Sequence, residues 1–341
     1  MEHIQRWMGS EVGVHCGDTV GARFEKTYSP RQIAKEIKDQ NGLHMIDYDN
    51  PWGLQKNDRN GLRLPAGRPT DDSDQTADLS FSLIKCNGLN TDHLREALRD
   101  SVVYGKSRLW DGQATGSGTT TRNALTSDAK TSKINGVPMN NIGTNGSLMR
   151  CAPMALWLAP SIMDISNGGT FDPQKVGAAK KLVEDMSSVT HDHPHSKQAC
   201  WIYTMVLSSL LAGNDPVSAL GDIDDLDPSI KKDPLAIRIG SRLNDPYDFP
   251  YDPGAWPMRG TAEFSLYVAL YALSNTKSFE EGIELAVRVG GDTDTYAAIA
   301  GGLLGAHYGY DAIPKEWRET ILGHDVMVDY AQKLYDMRLY K

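Results

Sequence analysis

An all-α fold is predicted by three features of the sequence: helix-start signals recur along it, several helix-length segments are apolar on nearly every side, and alternating strand patterns are scarce. Ser29-Pro30-Arg31-Gln32 forms a capping box with proline at the first helical position, and it leads into Ile33, Ala34 and Ile37. Thr91 stands ahead of Leu94, Ala97, Leu98 and Val102, which is amphipathic helical spacing. From Ala199 to Ala212 the chain is almost entirely apolar, the pattern of a helix buried on most sides, and a similar run extends from about Thr261 to Ser274. Ser278-Phe279-Glu280-Glu281 is a second box, placing Ile283, Ala286 and Val287 on one face. The small residues from Ala297 to Ala306 predict a central helix approached closely by its neighbours.

Between these elements, residues 41–69, 111–122 and 214–260 read as loops, the second for its Gly/Ser/Thr content and the third for its many Pro and Asp residues. Each is flanked by helical signals and has an anchoring aromatic in it or, for the second, directly before it, Trp52, Trp110 or Trp256, so none reads as an interdomain linker. No solenoid-type repeat is present. The expectation is a single domain over 1–341 with elaborated loops.

Composition narrows the function classes. With 40% hydrophobic and 23% charged residues the chain has enough apolar surface to fold. A formal net charge of −9 argues against broad binding to nucleic acid or anionic membranes and leaves room for a local phosphate pocket. Cys16, Cys86, Cys151 and Cys200 show no CxxC spacing and are expected to be reduced, structural thiols. The opening MEHIQRWMGSEVG has no signal-peptide core, and no apolar run reaches membrane-spanning length, so a soluble, cytoplasmic protein is expected.

Chemistry is concentrated in two acidic clusters, Thr70-Asp71-Asp72-Ser73-Asp74 and Gly290-Gly291-Asp292-Thr293-Asp294-Thr295, each just ahead of a predicted helix. N-capping explains one residue of each, because Asp, Ser and Thr accept from the free amides of a first turn. It does not explain the repetition, since adjacent carboxylates repel unless a cation neutralises them. If the clusters meet, Asp71, Asp72, Asp292 and Asp294 carry the negative charge that two divalent ions would balance. Carboxylates and Thr hydroxyls are hard oxygen donors, suited to Mg²⁺ or Mn²⁺ and poorly suited to Zn²⁺.

GDTVGARFE at 17–25, TDDSDQTADL at 70–79, TNGSLMRCAP at 144–153, the Thr190-His191 pair with its following Pro194, and GGDTDTYAAIAGGLLGAHYG at 290–309 resemble, in order, the motifs of the ADP-ribosylglycohydrolase family. The resemblance implies a compact orthogonal helical bundle with a central dinuclear metal site, two Mg²⁺ ions with Mn²⁺ as the alternative. It carries the family's metal ligands onto Thr70, Asp71, Asp72, Asp292, Asp294 and Thr295, and a proton donor or gate onto Glu25. Substrate contacts fall on Gly116, Gly118, Asn145, Gly146, Ser147 and His191. Glycines and free amides suit a diphosphate, and tight turns are the competing reading for Gly116 and Gly118. His193 and His195 read as cap or surface residues. Ser73 and Thr144 depart from the residues many members carry, as do the acidic-histidine stretch after Thr190 and the loop at 214–260.

What the resemblance implies for function is a metal-dependent hydrolase that cleaves the bond at the anomeric carbon of ADP-ribose, freeing it from a modified protein or small molecule. Asp294 is a candidate to accept the proton of the attacking water, although a carboxylate committed to a metal is a poor base. A catalytically silent ADP-ribose-binding module is the alternative; it would keep the Gly-rich contacts and lose metal ligands or Glu25. A two-metal phosphoesterase or nuclease would also use clustered Asp residues but would not require the remaining motifs. The linkage partner, whether arginine, serine, polymer or O-acyl group, is not encoded in these residues.

Overall fold

The computed structural model describes residues 2–25, 29–49, 63–111, 113–114, 116–126, 133–134, 137–138, 143–164, 169–226 and 260–337. Fourteen α-helices occur among them: α1 (His3–Ala22), α2 (Pro30–Asp39), α3 (Asp71–Cys86), α4 (Thr91–Val102), α5 (Thr119–Thr126), α6 (Ala152–Ile162), α7 (Pro173–Ser188), α8 (Pro194–Ala212), α9 (Pro216–Leu226), α10 (Ala262–Asn275), α11 (Phe279–Arg288), α12 (Thr293–Tyr308), α13 (Lys315–Thr320) and α14 (His324–Asp336). The strands described are three antiparallel pairs of two residues each. The all-α expectation holds. Among the described residues no helix is long and apolar enough to cross a membrane.

The helix starts follow their local chemistry. At α2 the box is complete: Gln32 N donates to Ser29 Oγ and Ser29 N donates to Gln32 Oε1. At α11 only half forms, since Ser278 Oγ accepts from Glu281 N while the Glu281 carboxylate takes the amide of Lys277 instead. Helix α4 is capped by Asn90, whose Oδ1 accepts from His93 N, so Thr91 is its first helical residue. The stretch read as one loop from 214 begins with α9, started by Asp215, whose carboxylate accepts from Val217 N and Ser218 N ahead of Pro216 at the first position. Trp52, Trp256 and the remainder of that loop from 227 to 259 lie outside the described residues.

Helices α8, α10 and α12 are buried on nearly every side, as their apolar and small-residue runs predict. The pairing that positions the site is α1 against α12, the most extensive helix contact described. It runs antiparallel and backbone against backbone. Gly9, Gly13, Gly17 and Gly21 of α1 face Gly305, Gly301, Ala297 and Thr293 of α12, and a Cβ added at any of the four would lie 2.0–2.4 Å from the opposing carbonyl oxygen. Glycine every fourth residue gives one face without side chains, and only that lets two helices close to this distance. The consequence is chemical, because the C-terminal end of α1, with Asp18 and the following Glu25, is set beside the acidic N-terminus of α12.

Gly17→Ala is therefore expected to destabilise the protein by about 1–3 kcal/mol or more, through overpacking against the Ala297 carbonyl at 2.0 Å, and to weaken metal binding with it. Thermal melting and a Mg²⁺ titration of the variant check both effects; an unshifted melting temperature would mean that the helices separate without cost.

Candidate metal centre

Three helix ends converge. The buried Asp18 of α1 points at the N-terminus of α3, where its carboxylate takes four hydrogen bonds: Thr70 N at 2.9 Å and Ser73 N at 3.2 Å, with Thr70 Oγ1 at 2.6 Å and Ser73 Oγ at 2.5 Å. A carboxylate from another helix thus satisfies amides that α3 leaves free, and it fixes Asp72 in register. On the other side, Thr293 Oγ1 donates to the Gly21 carbonyl at 2.8 Å, tying the start of α12 to the end of α1.

Two sets of carboxylate oxygens result, each within 4.8 Å of one another: Asp18, Asp72 and Asp294, and Glu25, Asp292 and Asp294. Asp294 belongs to both. The segments read as separate clusters are therefore one site. Thr295 stands beside it, with its amide on Asp294 Oδ1 at 2.9 Å and its hydroxyl 3.4 Å from Asp292 Oδ1. Asp71 lies at the rim, where Gln75 Nε2 donates to its Oδ2 at 2.9 Å.

Capping by their own side chains does not account for Asp71, Asp72, Asp292 or Asp294. At α3 the cap residue is Thr70, and the Thr70 and Ser73 amides are taken by Asp18 from α1. Asp292 occupies the cap position of α12 yet makes no capping bond; its Oδ2 accepts from Asn145 Nδ2 at 2.8 Å instead. Among the described residues none of Asp18, Asp71, Asp72, Asp292 and Asp294 is paired with a Lys or Arg. Asp72 Oδ1 is buried with no hydrogen-bond partner, which costs free energy unless a ligand completes it. A buried all-oxygen donor set with uncompensated charge fits a hard divalent cation.

The electrostatics carry the same signature. Burial pushes the Asp71 carboxyl up to about 7, with the charges of Asp18, Glu25 and Asp292 adding to it. Burial first, and neighbouring carboxylates second, push Asp72 and Asp294 well above the ordinary carboxylate range. Burial also raises Asp18, against the pull of its four hydrogen bonds. An acid whose folded value is raised stabilises the fold while protonated, so that contribution is complete below its unfolded value of about 4 and is lost as pH rises through the folded one.

Metal-free protein is thus expected to lose thermal stability between roughly pH 5 and pH 8. Mg²⁺ should restore it, by roughly 5 °C at pH 8 for a hundredfold excess over Kd, and by clearly less at pH 5.5 where protons compete. Scanning calorimetry with chelator and with Mg²⁺ at the two pH values measures this. Equal shifts at both would contradict the cluster as the binding site.

Of the residues expected to touch substrate, Gly116 and Asn145 border this centre. Gly116, at φ +87°, lies against Asp71: an added Cβ would sit 2.5 Å from its Oδ1. Gly118 is exposed, immediately before α5. In the turn before α6, Asn145 spends its amide on Asp292 and on Ser265 Oγ, and Gly146 meets the edge of His191, whose Cε1 and Nε2 would be 2.8 and 2.9 Å from an added Cβ. His191 is buried. Ser147 is turned inward, its hydroxyl paired with Ser187 at 2.8 Å. His193 accepts from His195 N as the cap of α8, the role expected of it. All four cysteines are free thiols.

Two residues of the site went unassigned from sequence. Asp18 sits inside GDTVGARFE, but its partners are more than fifty residues away and nothing local marks them. Arg150, in TNGSLMRCAP, was legible as a lone charge between Leu148-Met149 and Cys151, and it proves to be fully buried.

The buried carboxylates at the meeting of these helix ends form an all-oxygen cluster that could hold a metal ion. The family model for ADP-ribosylglycohydrolase matches residues 1–340, and the chain belongs to that family. It is 26% identical to an ADP-ribosylarginine hydrolase Tri1 of Serratia proteamaculans over 98% of this chain and 80% of that one. It is 25% identical to the ADP-ribosyl-[dinitrogen reductase] glycohydrolase of Rhodospirillum rubrum, over 92% and 88%. Among solved structures, an ADP-ribosylglycohydrolase-related protein complex superposes with a TM-score of 0.66 at 25% identity, covering 99% of both chains.

Proposed function

We propose that this protein is a metal-dependent ADP-ribosyl glycohydrolase, acting as a single catalytic domain on an ADP-ribosylated protein or an ADP-ribose-containing small molecule. The observation that carries the reading is the convergence of Asp18, Glu25, Asp72, Asp292 and Asp294, drawn from three separate helix ends, into two oxygen sets of ligand spacing. Divalent ions held there, Mg²⁺ or Mn²⁺, would grip the vicinal ribose hydroxyls and polarise an attacking water.

The chain's own groups supply the remainder. Cleavage passes through an oxocarbenium-like state and needs a proton for the departing group. Glu25 is the residue assigned to deliver it, a reading supported by its burial just beyond α1 and its spacing to Asp292 and Asp294. Thr70, Asp71, Asp72, Asp292, Asp294 and Thr295 would hold the metals, with Asp294 the carboxylate common to both oxygen sets. Gly116, Gly118, Asn145, Gly146 and His191 are assigned to the approach for the nucleotide, with Ser147, its hydroxyl turned to Ser187, offering backbone only. A silent binding module has no use for an intact set of carboxylates.

The name of the Serratia relative, an ADP-ribosylarginine hydrolase, makes an arginine-linked ADP-ribosyl protein the first substrate to try. The test is ADP-ribose release from a panel of arginine-linked, serine-linked, polymeric and O-acetylated substrates with Mg²⁺ present. Turnover of at least one is expected. Tight ADP-ribose binding with no release from any member would establish the silent module instead.

A further inference from the structure

Arg150 is the hub of a buried chain of hydrogen bonds that joins the metal centre to the ligand-binding side. Its Nη1 donates to Gln75 Oε1 at 2.8 Å and to the Gly146 carbonyl at 3.1 Å, and its Nη2 donates to Thr190 Oγ1 at 2.7 Å. From Gln75 the chain continues through Nε2 to Asp71 Oδ2 at 2.9 Å. From Thr190 it continues to His191 Nδ1 at 2.7 Å. Gln75, Arg150, Thr190 and His191 are all essentially inaccessible to solvent.

The direction of every bond follows from the donor inventory. A guanidinium only donates, so Gln75 must present its carbonyl to Arg150 and its amide NH₂ to Asp71. Thr190 Oγ1 likewise accepts from Arg150 and has one proton of its own to place. Its neighbours at hydrogen-bond distance are Arg150, which cannot accept, and His191 Nδ1, which can. Were Nδ1 to carry a proton, the buried threonine proton would have no acceptor, at a cost of about 1–3 kcal/mol. The bond therefore runs from Thr190 to Nδ1, which leaves the imidazole proton on Nε2. No hydrogen bond from that nitrogen is made among the described residues, and it lies at the edge of Gly146.

We propose that Arg150 is a positioning residue that sets two elements at once: the orientation of Asp71 at the metal centre, through Gln75, and the Nε2–H tautomer of His191, through Thr190. His191 is then a fixed neutral donor, and the ligand group it meets is an acceptor oxygen, as on a diphosphate, never a hydroxyl offered as a donor. Burial supports this by driving the His191 pKa down to about 3, so the ring is neutral at working pH and its tautomer is what decides its partner. The inference rests on the reading of Asp71 as a metal ligand and of His191 as a ligand contact.

Long-range ¹H–¹⁵N correlation spectra of ¹⁵N-histidine-labelled wild-type protein test it without any variant: His191 should show a protonated Nε2 and an unprotonated Nδ1. A protonated Nδ1 would overturn the proposal, whatever the protein binds. Two variants separate the arms. Thr190→Val should mix the tautomers and weaken ADP-ribose binding about tenfold while leaving Mg²⁺ affinity as it is, and Thr190→Ser should restore both. Gln75→Met should lower Mg²⁺ affinity by roughly 10–100-fold and leave the His191 tautomer unchanged. Wild-type tautomer and ADP-ribose affinity in Thr190→Val would also overturn the proposal. If the wild-type protein shows the Nε2–H form yet binds neither Mg²⁺ nor ADP-ribose, the functional reading fails and the tautomer lock stands.

Discussion

Asp294→Ala is expected to remove metal binding and ADP-ribose release together, with a loss in rate beyond the roughly 10–100-fold that comes from disturbing an outer-shell partner. The reason is its position: it is the one carboxylate common to both ligand-spaced sets, so its removal depletes both at once. The sign of the stability change distinguishes this from simple damage. Asp294 is buried, and its carboxyl is held well above the ordinary range by burial and by Glu25, Asp72 and Asp292. Because its folded value is raised, this carboxyl weakens the metal-free fold as pH rises above its unfolded value, so at pH 8 the alanine variant should melt at or above the metal-free wild type. The stabilisation by Mg²⁺ should vanish at the same time. Calorimetric titration that returns the wild-type metal stoichiometry for Asp294→Ala would return the acidic clusters to helix capping.

Glu25→Gln is expected to keep metal content and ADP-ribose binding and to lose roughly 10²–10⁴-fold in turnover, the usual span for removal of a general acid. Glutamine preserves the shape and one oxygen, and it cannot deliver the proton. An oxygen leaving group depends on that proton more than a strongly basic guanidinium does, so the loss should be larger on a serine linkage than on an arginine linkage if both are accepted. Wild-type rates on every substrate would remove Glu25 from the chemistry. Loss of a metal equivalent would instead make it a ligand, the role its spacing to Asp292 and Asp294 also permits.

The features legible in the chain were those written locally. Ser29 and Gln32, three residues apart, announce α2, and the unbroken apolar run of α8 announces a helix buried on all sides. Helix α1 carried no such signal. Its buried face includes Glu11, His15 and Asp18, and its glycines are poor helix formers, so it shows neither amphipathic period nor propensity. Those glycines become intelligible only against the matching small residues of α12, nearly three hundred positions later. Asp18 and Arg150 were missed for the same reason. A carboxylate serving Thr70 and Ser73, or a guanidinium joining Gln75 to Thr190, is defined by partners that tertiary structure supplies. The acidic character of the place where Asp72, Asp292 and Asp294 meet was legible because repulsion between adjacent acids is itself a local statement that something else must be present. At α9 the Asp215-Pro216 start was a readable signal, outweighed by the many Asp and Pro residues between Asp222 and Pro257.

The central claim, that the carboxylates of α1, α3 and α12 form one metal centre that cleaves ADP-ribosyl linkages, is tested most directly by a paired assay. ADP-ribose release from an arginine-ADP-ribosylated protein and from the serine-linked, polymeric and O-acetylated substrates is followed in chelator, and then after Mg²⁺ is restored to the same sample. The account predicts no release in chelator and full recovery with Mg²⁺ on at least one linkage. Release at an equal rate in fully chelated protein would contradict it.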